Sequence, residues 1–338
     1  MIDYGKGYSC SWSLMKVDTA TWAACDEMRG LLSASVERDA DSDLLESGSA
    51  RFDSRVSEDE FYGRLYILME QSGEVERHPV ATFLFSPGPT KDNMGFTDVE
   101  YTGRSVLSPA EDKVMLTGSY APMGTDAAAY AASLIAACTP APVSVEGSFV
   151  LTQNYVFAQG TTYMEAARTL LECAGWRIRV DGNGAITVMP KPVETKLSLD
   201  WAHASLLAPE VTGDGKLEDR HNRYVAVDGD HRAIVVYDEP DDPASFSRRG
   251  RYVDIYDESP QLCDGESLEE YARRKLYEDV STMGSKSYVR EWWPDTTVND
   301  LVVGSISSVG LDSDMRVSKQ SISTEHGALV SETSEVLR

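Results

Sequence analysis

The residues of this chain best suited to chemistry are its five histidines, His78, His203, His221, His231 and His326, and a few turns rich in acid and glycine. The densest grouping is His221 with Asp228, Asp230 and His231, where a hairpin could bring imidazole and carboxylate together around a metal. No HExxH pair and no cysteine partner accompany it, and Asp-Gly-Asp is also what a tight turn selects for its own backbone geometry. Asp312-Ser313-Asp314 lacks the glycine and distal glutamate of a calcium loop. Cys263, before Asp264-Gly265, would need a histidine partner within a nucleophile motif. Gly213-Asp214-Gly215-Lys216 has the residue types of a phosphate cradle at the wrong spacing, without the strand and helix that aim backbone N–H groups at a phosphate. GxSxG is absent. With 55 acids, carboxylate pairs fall at every spacing and single out no glycosidase dyad. The expectation is a chain with no catalytic, cofactor-binding or metal residues: not an enzyme.

Composition narrows the remaining classes. A chain of 338 residues, 42% hydrophobic and 25% charged, suits a folded protein of two to four modules. Its 55 acidic against 31 basic residues leave a net charge of −24, which excludes an open nucleic-acid-binding surface. The longest basic cluster, Ser247-Arg248-Arg249-Gly250-Arg251, reads as a solvated loop. MIDYGKGYSC carries an acid and no apolar core, so no secretory signal is expected and synthesis should end in the cytoplasm. The longest largely apolar run, Ala127 to Cys138, falls short of the roughly 20 residues that cross a bilayer. Cys10, Cys25, Cys138, Cys173 and Cys263 are odd in number and never spaced CxxC, which suits buried thiols and neither a disulfide framework nor a zinc site.

The elements that must position these residues are mostly strands. Cys10 to Met15, Arg64 to Glu70 and Pro79 to Phe85 suit a pleated, half-buried surface and predict a small antiparallel barrel. Between them, Asp39 to Asp53 is acidic and serine-rich, as in an exposed connection. Helical period takes over from Thr125 to Cys138 and from Thr162 to Ala174, the second opened by a Thr162–Glu165 capping box and closed by Gly175. Trp176 to Val180 and Ala185 to Met189 then form a hairpin across Asp181-Gly182-Asn183-Gly184. A further hairpin pairs Tyr224 to Val227 with Ala233 to Tyr237, and Ser267 with Glu270 caps a helix to Val280. Leu301 to Val303, Met315 to Ser323 and Ala328 to Thr333 read as strands of a second barrel into which that helix is inserted. The fold class is therefore α+β, mainly β: two small antiparallel β-barrel modules flanking an α+β module, with a further inserted helix. The boundaries are 1–108 and 199–258 with 288–338 for the barrels, 109–198 for the α+β module and 259–287 for the inserted helical segment. A loose duplication of barrels would fit this order, although the halves do not align by residue identity.

Four stretches in this order resemble the hub proteins of bacteriophage tails: the hub of contractile-tail baseplates and the amino-terminal region of tail-associated proteins in long flexible tails. They are LLESGSARFD (Leu44 to Asp53) with the strand pair from Gly63 to Phe85; QGTTYMEAARTLLECAGWRIRVDGNGAITVMP (Gln159 to Pro190); RHNRYVAVDGD (Arg220 to Asp230) with the later DDPASFSRRGRYVDIYDES; and SLEEYARRKLYEDVS leading to WWPDTTVNDLVV (Ser267 to Val303).

The resemblance implies a homotrimer in the virion tail, assembled in the host cytoplasm. Two barrels per chain would alternate around the axis as a ring of six units, joining a sixfold tube to a threefold tip. Its partners would be distal tail and tape-measure proteins, with DNA passing through a central channel without specific binding and with no stable membrane insertion. Some of the chain's acid could line that channel and repel phosphate, or serve only solubility. With its last expected strand just before Arg338, the chain is expected to lack the lytic or receptor-binding domain that follows some hubs. The alternatives are a tail-associated peptidoglycan hydrolase or endopeptidase, and a carbohydrate-binding β module. The clue to the latter would be exposed aromatics, but the adjacent Trp292 and Trp293, beside Pro294 where a strand begins, read as packing.

Overall fold

Alternating strand patterns dominate the chain, and strand outweighs helix at 48% against 16% of residues. The structure, a computed structural model, describes residues 2–3, 6–93, 96–191, 195–199, 207–214, 217, 220–263, 265–294, 296–307 and 311–337. The first seven strands are β1 (Ser9–Val17), β2 (Ala24–Glu27), β3 (Leu31–Asp39), β4 (Glu46–Phe52), β5 (Phe61–Gln71), β6 (Glu74–Asn93) and β7 (Phe96–Ser105), all paired antiparallel. Leu14, Val36, Ala50, Phe52, Ile67 and Phe83 meet in the core beneath them. LLESGSARFD, expected in an exposed connection, contains a strand between β3 and β7. Acid and serine disguise it, but Glu46, Ala50 and Phe52 turn inward while Ser47 and Arg51 face out, the period of two that a sheet requires.

Next come α1 (Ser108–Asp112), β8 (Ser119–Ala121), α2 (Ala127–Ala136), β9 (Val143–Val145), β10 (Tyr155–Phe157), α3 (Tyr163–Ala174), β11 (Trp176–Val180) and β12 (Ile186–Pro190). Asp126 caps α2 by accepting from the N–H groups of Ala128 and Ala129. At the start of α3, Thr162 Oγ1 accepts from Glu165 N and donates to Glu111 on α1. Gly175 closes α3 at φ 67°, the left-handed conformation that glycine adopts without strain. The expected hairpin pairs Trp176 with Pro190 through to Val180 with Ile186, and β9 joins β12 in parallel. Apolar faces of α2, α3 and this sheet share one core around Ile135, Leu170 and Val188.

The remainder comprises β13 (Thr195–Leu199), β14 (Leu207–Asp214), β15 (Arg223–Asp228), β16 (His231–Val236), α4 (Phe246–Arg249), β17 (Asp254–Asp257), α5 (Leu268–Val280), β18 (Thr282–Glu291), β19 (Leu301–Gly304), β20 (Asp314–Ser323) and β21 (Leu329–Leu337). The hairpin β15–β16, read from sequence with the second barrel, instead takes β17 as a parallel neighbour in a sheet of its own. Tyr224 and Ala226 on its inner face pack against Tyr271, Ala272 and Leu276 of α5. That helix carries the complete Ser267–Glu270 capping box.

The two outer strand-rich regions join in one sheet of order β14-β18-β21-β20-β3-β4-β7-β6-β5-β1-β2, with β19 also on β20 and β13 on β19. No ladder among the described residues closes this path into a barrel. The two regions join at β20. Four-residue β19 pairs only with Asp314 to Arg316, which leaves the edge from Lys319 to Ser323 free to pair with β3.

Candidate functional site

The seam between β3 and β20 buries a continuous polar network. Arg38, on the inward parity of β3 with Ala34 and Val36, donates through Nη1 to Gln320 Oε1 at 3.0 Å and through Nη2 to Val80 O at 2.5 Å. Gln320 Nε2 donates to Glu332 Oε2 at 2.8 Å, and Glu332 also accepts from Arg290 at 2.6 Å and Tyr288 at 2.5 Å. The Arg290 and Glu332 side chains are 1% and 0% exposed. Removing such charges from water costs several kcal/mol each, and in any other strand register these groups would lie unpaired.

Glu46, on neighbouring β4, ends this network. Burial pushes its carboxyl up to about 7, against the attraction of Arg38, whose Nε lies 3.4 Å away. Its second oxygen has no hydrogen-bond partner among the described residues, which fits a protonated acid.

Beside the seam, a cleft of about 510 Å³ separates α3 and β11 from the large sheet, lined by Asp43, Met164, Arg168, Arg177, Leu301 and Arg316 among others. Behind it, Asp300 accepts from Arg177 at 3.0 Å, from Arg179 at 3.4 Å and from Thr297 N at 3.0 Å. Burial lowers the Arg177 guanidinium from its ordinary value despite Asp300. Asp43 pairs with Arg168, Glu172 with Lys275 and Glu335 with Arg316. The first two pairs join separate modules, whereas Glu335 and Arg316 pair across neighbouring strands of the large sheet.

The hairpin turn of the α+β module plugs into the first sheet. Asn183 O accepts from Arg64 Nη2 and Trp22 Nε1, both at 2.8 Å, and Thr82 Oγ1 donates to Gly182 O at 3.0 Å. A Cβ on Gly182 would stand 2.2 Å from Pro79 O, so backbone meets backbone there. The sequence marks Asp181 to Gly184 as a hairpin turn; the close approach that Gly182 serves is not visible in it.

The residues singled out in sequence are dispersed. His221 pairs with Asp279 at 3.2 Å, while Asp228 and His231 close the far end of the β15–β16 hairpin. Seven residues of strand separate the two places by roughly 20 Å. Among the described residues no three metal-ligating side chains are grouped. Asp314 opens β20, and Gly215 and Lys216 lie outside the described residues, as do His203 and Asp264. Cys263 is buried, with Arg274 Nη2 at 3.3 Å from its sulfur and Glu266 accepting from its N–H. Cys25, expected buried, is exposed because β2 is an edge strand. The Arg248–Arg251 run caps a short helix, α4, closed by Gly250. Trp292 is buried against the first core and stacks near His78 at 5.5 Å, while Trp293 packs on the core of the second half, so this pair offers no sugar platform. No helix among the described residues is long and apolar enough to cross a membrane.

Missed in sequence were Arg38, Glu46, Asp300, Gln320 and Glu332. For the four in strands the signal was parity, charged or amide groups standing in phase with apolar neighbours, as in Ala34-x-Val36-x-Arg38 and Val330-x-Glu332; Asp300, in the loop before β19, carried none.

No family model and no curated protein matches the chain by sequence. Solved structures match from end to end. A tail protein from Neisseria meningitidis superposes with TM-score 0.68 at 11% identity, covering 97% of this chain and 96% of that one. The 43 kDa tail protein of prophage MuSo2 from Shewanella oneidensis gives 0.66 at 13% identity, covering 96% and 97%. Prophage tail protein gp18 from Listeria monocytogenes gives 0.56 at 10% identity, covering 96% and 94%. The chain thus has the fold of these phage tail proteins.

Proposed function

We propose that this chain is a structural, non-enzymatic subunit of a phage tail tip, a baseplate-hub-like protein that acts by assembly. The carrying observation is the mutual coverage: the likeness to three tail proteins spans at least 96% of this chain and 94% of each of theirs. A fold shared over the whole length, and not over one module, favours a shared role for the whole.

On this reading the chain is a homotrimer. The two halves of the large sheet, one to each side of the β3–β20 seam, act as the barrel-like units that alternate around the axis as a ring of six. The ring joins tube to tip and encloses a channel for tape measure and genome, assembling in the host cytoplasm and residing in the virion. Part of the net charge of −24 per chain lines that channel and keeps DNA phosphate from adhering. The buried ion pairs of seam and cleft suit a frame that must hold its shape while other parts pass through it. Cell-wall zymography tests the non-enzymatic reading: the purified chain is expected to leave host peptidoglycan intact, and clear lysis by the chain alone would reject it.

A further inference from the structure

A cyclic trimer needs two different patches on each subunit, because a head-to-tail contact closes a ring only when one surface meets a dissimilar surface of the next copy. The structure offers two. Of the fifteen exposed large hydrophobic residues among the described positions, ten fall in two groups.

The first group lies on a long antiparallel ribbon in the α+β module, where residues 113–127 run against 149–163, from Tyr163 N to Lys113 O at one end to Ala127 N to Phe149 O at the other. One face of the ribbon is core, with Met115, Ala121, Leu151, Tyr155 and Phe157 buried. The other carries Val114, Leu116, Tyr120, Val150 and Val156, and Met123 is exposed as well; Leu116 is 79% and Val156 80% exposed, and Tyr120 pairs directly with Val156. A half-buried antiparallel ladder alternates apolar-in with polar-out; a ladder apolar on both faces reads as one covered on both. Residues 114–125 and 147–164 contain no charge in a chain that is 25% charged, and eighteen of them are exposed. That number approaches the roughly 20 to 30 residues per side of a standard interface.

The second group lies on the outer face of the β15–β16–β17 sheet, opposite α5. Ile234 and Tyr256 flank Val225 in one row, Val236 stands beside Arg223 in the next, and Tyr252 lies under the Arg223 guanidinium at 4.0 Å. The exposed Arg232, Arg248 and Arg251 lie around this face together with Asp254, which pairs with Arg223 on it, whereas Lys113 and the acids Asp112, Asp126 and Glu146 flank the ribbon. Copies carrying −24 each repel one another over most of their surface. A charge-free ribbon seated on an apolar sheet face is a pairing that avoids this repulsion.

We infer that these two faces add a second contact between copies to that of the barrel-like units: the ribbon of one chain seats on the outer β15–β16–β17 face of the next, and the ring closes only with both. This rests on the trimer proposed above. The test compares the full wild-type chain with Leu116→Asp and Tyr256→Asp by sedimentation equilibrium, with circular dichroism confirming that each exposed substitution leaves the fold intact. The expected result is a wild-type trimer, both variants monomeric, and a one-to-one mixture of the variants forming dimers, since each supplies the face that the other has lost. A wild-type trimer with either variant still trimeric overturns these faces while leaving the trimer standing. So does a mixture that stays monomeric. A wild-type monomer overturns the trimer and this inference together.

Discussion

Glu46 and Asp300 are both buried carboxylates near arginine, yet their surroundings ask opposite things of them. Asp300 has three donors within 3.4 Å and is a fully paired anion. Replacing it by alanine leaves Arg177 and Arg179 without their shared counterion, and a loss of about 3–5 kcal/mol in denaturant unfolding is expected. An unchanged midpoint would mean that the pair is ornamental. Glu46 has one long contact with Arg38, and burial dominates, raising its carboxyl from an ordinary 4.5 to about 7. Between those values the folded chain holds a proton that the unfolded chain has released. Glu46 therefore favours the fold most below about pH 4.5, and that advantage is lost as pH rises through 7. Glu46→Gln keeps the neutral form at every pH. The difference in melting temperature, variant minus wild type, should grow from pH 5 to pH 8; a constant difference would show that Glu46 does not titrate in that window. Neither carboxylate was legible as special in the sequence, because what distinguishes them is the partner supplied by a strand far along the chain.

At the scale of elements, legibility followed the range of the interactions. The Ser267–Glu270 capping box, the Gly175 stop and the β11–β12 hairpin depend on residues within a few positions, and each forms where the sequence places it; of the box expected at α3, only the Thr162 side-chain half forms. Strand β4 was disguised because serine, glycine and acid outnumber its inward Ala50 and Phe52. The β15–β16 hairpin was read as a hairpin but given to the wrong sheet, since its neighbour β17 lies beyond an irregular stretch and pairs in parallel. The turn Asp181 to Gly184 shows both sides: its hairpin was legible, its use as a plug against β6 was not. With Pro79 O 2.2 Å from a hypothetical Cβ, Gly182→Ala must push the hairpin off the first sheet. A cost of about 1–3 kcal/mol is expected for such overpacking. Hydrogen exchange should show loosened protection at Asn183 and Thr82; undisturbed protection there would contradict the docking.

For the whole molecule, the order of strand-rich and α+β regions was readable, and the mainly β fold matches tail proteins along its length. That the two strand-rich regions share a sheet was not, because it turns on β19 being short enough to leave half an edge of β20 open to β3. The polar network across that seam ties 38 and 46 to 290, 320 and 332, so the outer regions of the chain form one frame. A frame fixed in this way suits a part whose work is to sit between other parts. The most direct measurement is therefore of position: gold-labelled antibody against this chain, applied to phage particles released by the strain that carries its gene and viewed by electron microscopy. Label confined to the distal end of the tail is the expected result, and label on the head or along the tube, or particles that lack the chain, would contradict it.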